Sequence, residues 1–176
     1  MMTIRDDVTL EPVGPHHAPN MARWMTDPVV RSNIDLRREP SLERTLAWIE
    51  QAKGNPSLAA LAILQAGQHV GNITLDQIDM HIGLGRLSIY IGESTARGNG
   101  VGRAAVYLAL RHGFDTMKLH KVWLIVHEQN LAAIRTYMKL GFELEGILRD
   151  EFLINGQRMA ALRMGMLKTR FMQLYS

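Results

Sequence analysis

The chain has 176 residues, a net charge of +3 and 47% hydrophobic residues, which is typical of one soluble globular domain spanning residues 1–176. Cysteine is absent, which excludes a disulfide framework, a thiol nucleophile and a cysteine-based zinc site. No apolar run reaches the roughly 18 residues of a membrane span, and the charged N-terminus lacks a signal-peptide core, so we expect a cytoplasmic protein without a membrane partner.

The charged and metal-ligating residues point to no other large class of partner. Basic residues are dispersed, with small groups at Arg37–Arg38 and Lys168–Arg170. Because nucleic-acid binders usually concentrate such residues on one face, we expect no nucleic-acid partner. The adjacent pair His16–His17 lies in a loop rich in proline and glycine, and no HExxH motif occurs, so we expect no metal.

The first third of the chain reads as a strand and several helices. Val8–Val13 alternates like a strand, and short helices follow that Pro28 interrupts. Ser41 is a good N-cap for an amphipathic helix that Gly54 ends. The apolar residues that helical spacing places on one face are Leu42, Leu46 and Ile49.

The middle of the chain predicts a β-hairpin and a strand before a glycine-rich loop. The hairpin pairs residues 58–65 with residues 69–77 around an Ala66–Gly67 turn. A strand at Leu87–Gly92 follows. The loop then leads into a helix that reaches about Met117.

The last third predicts a strand, a capped helix and a closing hairpin. The strand covers residues 120–128, and Asn130 caps a helix that Gly141 ends. Two strands around an Asn155–Gly156 turn close the chain. This order of hairpins and single helices predicts an α+β fold with a mixed sheet, not a doubly wound parallel sheet.

The segment "ARGNGVGRAA" places bare backbone at the start of a helix, where free amides and the helix dipole attract phosphate. A Walker loop would end in Gly-Lys-Ser/Thr, whereas this loop ends in Gly-Val-Gly-Arg. A Rossmann loop would begin a βαβ unit, whereas antiparallel-looking strands follow here. The pattern that matches fully is Arg-x-x-Gly-x-Gly, supplied by Arg97, Gly100 and Gly102.

This loop and the segment "NLAAIRTYMKLGF" resemble motifs A and B of the GNAT superfamily of acetyl-CoA-dependent N-acetyltransferases. The two motifs stand in the family order and cover about residues 87–149. The resemblance implies a twisted mixed sheet of six or seven strands flanked by helices. It also implies that two neighbouring parallel strands separate, so that the pantetheine arm of acetyl-CoA lies between them. The residues that it assigns to the cofactor are Ile89, Ile91, Arg97, Gly98, Asn99, Gly100, Val101, Gly102, Arg103 and Asn130.

Acetyl transfer to an amine needs a base for the ammonium and an acid for the departing thiolate. The resemblance assigns the acid to Tyr137, on the motif-B helix. Glu93 is our candidate base, because it follows the strand that would bind the acetyl group. His127 is a second candidate, and a water chain held by Ser88 and Tyr90 is a third.

The resemblance places the acceptor on the N-terminal third of the chain, where Trp24 could stack, Asp27 could hold an ammonium and Arg31 could meet a phosphate. The tail "GFELEGILRDEFLINGQ" is similar to acetyltransferases of aminodeoxy nucleotide sugars, so we expect a small amine of that class. Protein N-termini and polyamines remain alternative acceptors, and a non-catalytic acetyl-CoA-binding module remains an alternative function. The resemblance also allows a homodimer.

Overall fold

The structure of the chain is a computed structural model that describes residues 4–34 and 38–175, so Arg37 of the Arg37–Arg38 pair lies outside the described residues. Within this part, seven strands form one sheet in the order β1-β2-β3-β4-β5-β7-β6. Neighbouring strands are antiparallel except β4 and β5, which are parallel. The α+β class and the mixed sheet are therefore confirmed.

The elements follow one another in a simple order along the chain. The strands are β1 (Val8–Pro12), β2 (Ala59–Gln65), β3 (Gln68–Asp79), β4 (Leu84–Ile91), β5 (Lys121–His127), β6 (Glu143–Ile154) and β7 (Gln157–Leu167). The helices are α1 (Ala18–Trp24), α2 (Pro28–Ile34), α3 (Leu42–Ala52), α4 (Val101–Arg111), α5 (Leu131–Leu140) and α6 (Lys168–Tyr175).

Local sequence signals fix most of these boundaries. The Ser41 hydroxyl accepts the Arg44 amide at 3.2 Å, and the Asn130 side chain accepts the Ala133 amide at 3.2 Å, so both predicted N-caps are present. Gly141 ends α5 in the left-handed region at φ 99°, which a residue with a side chain rarely adopts.

Two predictions about helices need correction, and one helix was not predicted. Leu42 and Leu46 are exposed, so α3 buries a narrower face around Thr45 and Ile49. The helix after the glycine loop ends at Arg111 and continues as a π-helical turn, His112–Thr116, rather than as one regular helix. The C-terminal α6 was not predicted, because Phe171 is its one fully buried residue and its apolar Met172 and Leu174 are exposed.

The main core lies between α4 and one face of the sheet. Small residues of α4, such as Ala105 and Ala109, are fully buried and let the helix approach the strands closely. Ile73 and Leu75 of β3 point into this core, as does Leu87 of β4. The residues that alternate with them therefore face the opposite side of the sheet.

Candidate active site

The site is built around a gap between β4 and β5. The two strands pair only from Leu84–Arg86 to Lys121–Trp123, although both continue well beyond this point. Further along, β5 stays paired with β7 up to His127, so β4 and β5 separate. The separated strands leave a wedge with backbone groups that have no ladder partner on its two sides.

A cavity of about 1290 Å³ fills this wedge and extends over the sheet. It is lined by Ile89 and Ile91 of β4, by the glycine loop and by Asn130 and Tyr137. Motif A and motif B, which are about 30 residues apart in the sequence, therefore meet in one cavity. Its volume lies above the range of roughly 300–1000 Å³ usual for small-ligand sites, so it has room for a large cofactor and an acceptor.

The glycine loop forms an amide-lined mouth at the start of α4. Gly98 and Gly100 have φ values of 78° and 91°, which turn successive backbone amides toward one side. Within the described residues, no hydrogen bond is made by the amides of Gly98, Asn99 and Gly100. An added Cβ at Gly98 would meet nothing within 4 Å, so the mouth is open. These residues fit a pyrophosphate.

Arg97, which the resemblance assigns to the cofactor, lines the cavity, but its guanidinium is held by groups of the protein. Its Nε donates to the Ile91 carbonyl at 2.9 Å, and its Nη2 donates to the Gly92 carbonyl at 2.8 Å. The same Nη2 contacts the Asp27 carboxylate at 2.7 Å. Because the end of β4 is not paired with β5, Arg97 supplies hydrogen-bond donors to carbonyls at this end of the strand.

The rest of the predicted loop divides between the cavity and the core. Gly102 and Arg103 line the cavity, whereas the Val101 side chain is fully buried in the core and could contribute only its backbone. Arg5, which we did not predict, donates to the Asn99 carbonyl at 3.0 Å and packs beside Gly100. It thereby holds the loop from outside.

Tyr137 is buried, 8% exposed, and lines the cavity. Within the described part of the chain, its hydroxyl has no hydrogen-bond partner. Burial raises the pKa of the Tyr137 phenol to about 12, so the phenol carries its proton at neutral pH. The Tyr137 hydroxyl is thus a neutral hydrogen-bond donor, and no described residue accepts its hydrogen bond.

The two candidate bases lie in different places. Glu93 does not line the cavity, and its carboxylate contacts Arg23 at 3.2 Å, so the structure gives no support to Glu93 as the base. His127 lines the cavity at the end of β5, and neither of its ring nitrogens has a hydrogen-bond partner among the described residues. Burial lowers the pKa of His127, so its imidazole is neutral near pH 7.

None of the three predicted acceptor residues lines the large cavity, although Arg31 lines a second cavity of about 580 Å³. Trp24 is 3% exposed and packs against His69, so it is a core residue. Asp27 caps α2 by accepting the Val29 amide at 2.8 Å and also pairs with Arg97. Arg31 forms an ion pair with Glu39 at 3.1 Å.

Sequence reasoning missed most of the polar residues at the acceptor end of the cavity. Ser88 and Tyr90 do line it, as the water-chain hypothesis required. Other polar residues that line the cavity include Arg38, Glu39, Arg44, Asn72, Thr74, Asp76, Arg86 and Glu151. The alternation of polar and apolar residues in "NITLD" and "RLSIY" was the available signal.

A cluster of imidazoles lies behind the cavity. Glu11, His16 and His17 bring ligand atoms within 4.8 Å of one another. However, the Gly14 amide donates to His17 Nδ1 at 3.0 Å, which leaves the proton of the neutral ring on Nε2, directed at Glu11. This protonation opposes metal binding by His17.

His69, which packs against His17, predicts acid sensitivity of the fold. Burial lowers the pKa of His69 to about 4, whereas an unfolded histidine titrates near 6.5. Below pH 6.5 the His69 imidazole is protonated in the unfolded chain but stays neutral in the folded chain. The free energy of unfolding therefore falls as pH drops toward 4, by at most about 1.4 kcal/mol per pH unit. Urea unfolding of wild type and His69→Gln at pH 7.5 and 5 should show a smaller pH effect in the variant. Equal pH effects would contradict this role of His69.

Within the described residues, none of the helices has the length and apolar composition needed to cross a membrane.

A protein family and several known proteins are similar to this chain in sequence. A family model described as "Acetyltransferase (GNAT) domain" matches residues 7–143. Spermidine N(1)-acetyltransferase of Escherichia coli (strain K12) is 47% identical over 68 residues, which are 39% of this chain and 37% of that enzyme. The matched part thus spans little more than a third of this relative. An L-amino acid N-acetyltransferase of the same strain is 27% identical over 123 residues, 69% of this chain and 75% of that protein.

The fold is shared with a solved structure. The crystal structure of spermidine N-acetyltransferase from Vibrio cholerae in complex with CoA and spermine superposes with a TM-score of 0.90 at 22% identity, covering 96% of this chain and 99% of that chain. At this identity the likeness shows the fold alone. The family model, in contrast, matches well over half of the chain and includes the glycine loop and α5. The chain therefore belongs to the GNAT acetyltransferase family.

Proposed function

We propose that this chain transfers an acetyl group from acetyl-CoA to a primary amine in a direct ternary complex. One observation supports the proposal most strongly. The amide-lined loop, the gap between β4 and β5 and the Tyr137 hydroxyl, which has no partner among the described residues, all belong to one cavity. Acetyl-CoA supplies the acetyl group as a thioester, whose sulfur departs when the amine nitrogen bonds to the acetyl carbon. Gly98, Asn99 and Gly100 would hold the pyrophosphate, while Asn130 would contact the pantetheine arm.

Tyr137 and His127 supply the two proton transfers. Tyr137 holds a proton at its phenol oxygen and gives it, or a strong hydrogen bond, to the departing sulfur. His127 is neutral, lines the cavity and has no hydrogen-bond partner among the described residues, so it would accept the proton that the ammonium must lose. The unpaired β4 backbone beside Ile89 and Ile91 would polarise the acetyl carbonyl.

The relatives bear on the acceptor. Spermidine is the acceptor named for the E. coli relative, which supports the polyamine alternative better than the nucleotide sugar that the sequence first favoured. An L-amino acid is named for the relative aligned over more of the chain. Both are primary amines. Thiol release from acetyl-CoA, measured with spermidine, amino acids and an amino-sugar nucleotide, tests the proposal, and acetyl-CoA binding without release for any amine would favour a non-catalytic module.

His127→Gln tests the base. Because His127 must be neutral to accept a proton, kcat/KM of wild type should fall below a midpoint under pH 6.5. The variant should lose this inflection and have a plateau about 100-fold lower. Glu93→Gln is the matched control and should keep both the rate and the pH profile, since Glu93 lies off the cavity. A wild-type rate and profile in His127→Gln would assign the step to water.

The homodimer that the family resemblance allows remains a prediction, which sedimentation of the purified chain tests.

A further inference from the structure

The floor of the cavity is a ladder of polar side chains on one face of β3 and β4. Three cross-strand pairs lie in register there and all line the cavity: Asn72 with Tyr90, Thr74 with Ser88, and Asp76 with Arg86. The alternating residues of both strands point into the core, so the ladder belongs to the cavity side alone.

The only carboxylate of this floor already has a cationic partner. Arg86 donates to both oxygens of Asp76, at 2.7 and 3.0 Å, in a partly buried bidentate pair. The Tyr90 hydroxyl donates to Asn72 Oδ1 at 2.9 Å. The hydroxyls of Thr74 and Ser88 have no partner among the described residues, so the floor offers neutral hydrogen-bonding groups.

The wall above this floor, at the start of α3, carries spare positive charge. The Glu39 carboxylate accepts hydrogen bonds from both Nη atoms of Arg31, at 3.1 and 3.4 Å. Arg44 donates to the Glu39 backbone carbonyl, but it pairs with no carboxylate in the described part of the chain. Arg38 has neither a hydrogen bond nor an ion pair with any residue that the structure describes.

We propose that the acceptor amine carries an anionic group, a carboxylate or a phosphate, which Arg44 and Arg38 bind while the polar ladder holds the rest of the molecule. Guanidinium groups bind such oxyanions through charge-assisted hydrogen bonds. A polyamine would bring further positive charge to Arg38 and Arg44, which form no close ion pair among the described residues, while the Glu39 and Asp76 carboxylates are held by Arg31 and Arg86. This proposal rests on acetyl transfer as the function and narrows its substrate class.

The test compares amines that differ in charge and little else. 5-Aminopentanoate, O-phosphoethanolamine, pentylamine, ethanolamine and spermidine are assayed by thiol release at saturating acetyl-CoA. We expect kcat/KM for one of the two amines that carry an oxyanion to exceed that for its counterpart without the oxyanion and that for spermidine. The more active of the two distinguishes a carboxylate from a phosphate. Higher kcat/KM for spermidine or for the amines without an oxyanion would overturn the proposal.

Variants locate the effect. Arg44→Gln should raise KM for the anionic amine by roughly 10- to 100-fold, as expected for loss of a charged hydrogen bond, and leave KM for acetyl-CoA and for pentylamine unchanged. Arg111→Gln is the matched control, because Arg111 is an exposed arginine of α4 that does not line the cavity. A raised KM for acetyl-CoA in Arg44→Gln would instead assign this arginine to the cofactor.

Calorimetry separates this proposal from the proposed activity. If no amine turns over, acetyl transfer fails as the function, but binding of the anionic amines can still be measured. Binding to wild type that Arg44→Gln weakens would support the anionic site, whereas equal binding to both proteins would refute it.

Discussion

Tyr137→Phe is expected to lower kcat by about 100- to 10,000-fold, the usual contribution of a general acid, while the Kd for acetyl-CoA stays close to that of wild type. The phenol is buried in the cavity, its pKa is raised to about 12, and no described residue accepts its hydrogen bond. Removal of the hydroxyl therefore deletes the proton donor without breaking a structural contact. Steady-state kinetics and calorimetric titration with acetyl-CoA measure the two quantities.

A second tyrosine provides the control for Tyr137→Phe. Tyr107→Phe alters a half-buried phenol on α4 that packs against Phe171 and Tyr175, away from the cavity lining. It should leave kcat within about a factor of two, as for a substitution outside the site. An unchanged kcat in Tyr137→Phe would remove Tyr137 from the mechanism.

Gly100→Glu should abolish acetyl-CoA binding, with a rise in Kd of at least about 100-fold. The substitution puts a carboxylate at the amide-lined mouth of α4, where it would repel a phosphate by several kcal/mol even at an effective dielectric of about 20. Gly100 has a φ of 91°, so a side chain also strains the backbone by about 1–2 kcal/mol.

The strain of Gly100→Glu can be controlled separately from the charge. Gly67→Glu places the same side chain at another positive φ, 78°, in the β2–β3 turn, where an added Cβ meets nothing within 4 Å. The two variants should lose similar stability in urea, but only Gly100→Glu should lose binding of acetyl-CoA. Retained binding in Gly100→Glu would contradict the assignment of the loop to phosphate.

Backbone signals in the sequence predicted the fold well, and they identified the glycine loop that lines the large cavity. Glycines at Gly98 and Gly100 and caps at Ser41 and Asn130 act locally, so their pattern is readable without tertiary information. The parallel pair β4–β5 followed from the family resemblance to two motifs that lie close together in the chain.

Side-chain partners were harder to predict because they depend on long-range packing. Arg97 turns to the carbonyls of Ile91 and Gly92, since the separation of β4 from β5 leaves those acceptors unpaired. Glu93 is neutralised by Arg23, which lies 70 residues away in the sequence. Arg38 was read only as dispersed basic charge, because its place in the cavity lining depends on how the segment before α3 packs on distant parts of the chain.

The measurement that tests the central claim most directly is transfer of a labelled acetyl group. The enzyme is incubated with acetyl-CoA labelled in the acetyl carbon, with and without an amine substrate, and the label is followed in the amine and in the intact protein by mass spectrometry. Because the chain has no cysteine, no thiol of the protein can take up label. Direct transfer predicts that a labelled acetyl group is bound to the amine nitrogen only when both substrates are present, and that the protein carries no label. Label on the protein before the amine is added, or no label in any amine, would contradict it.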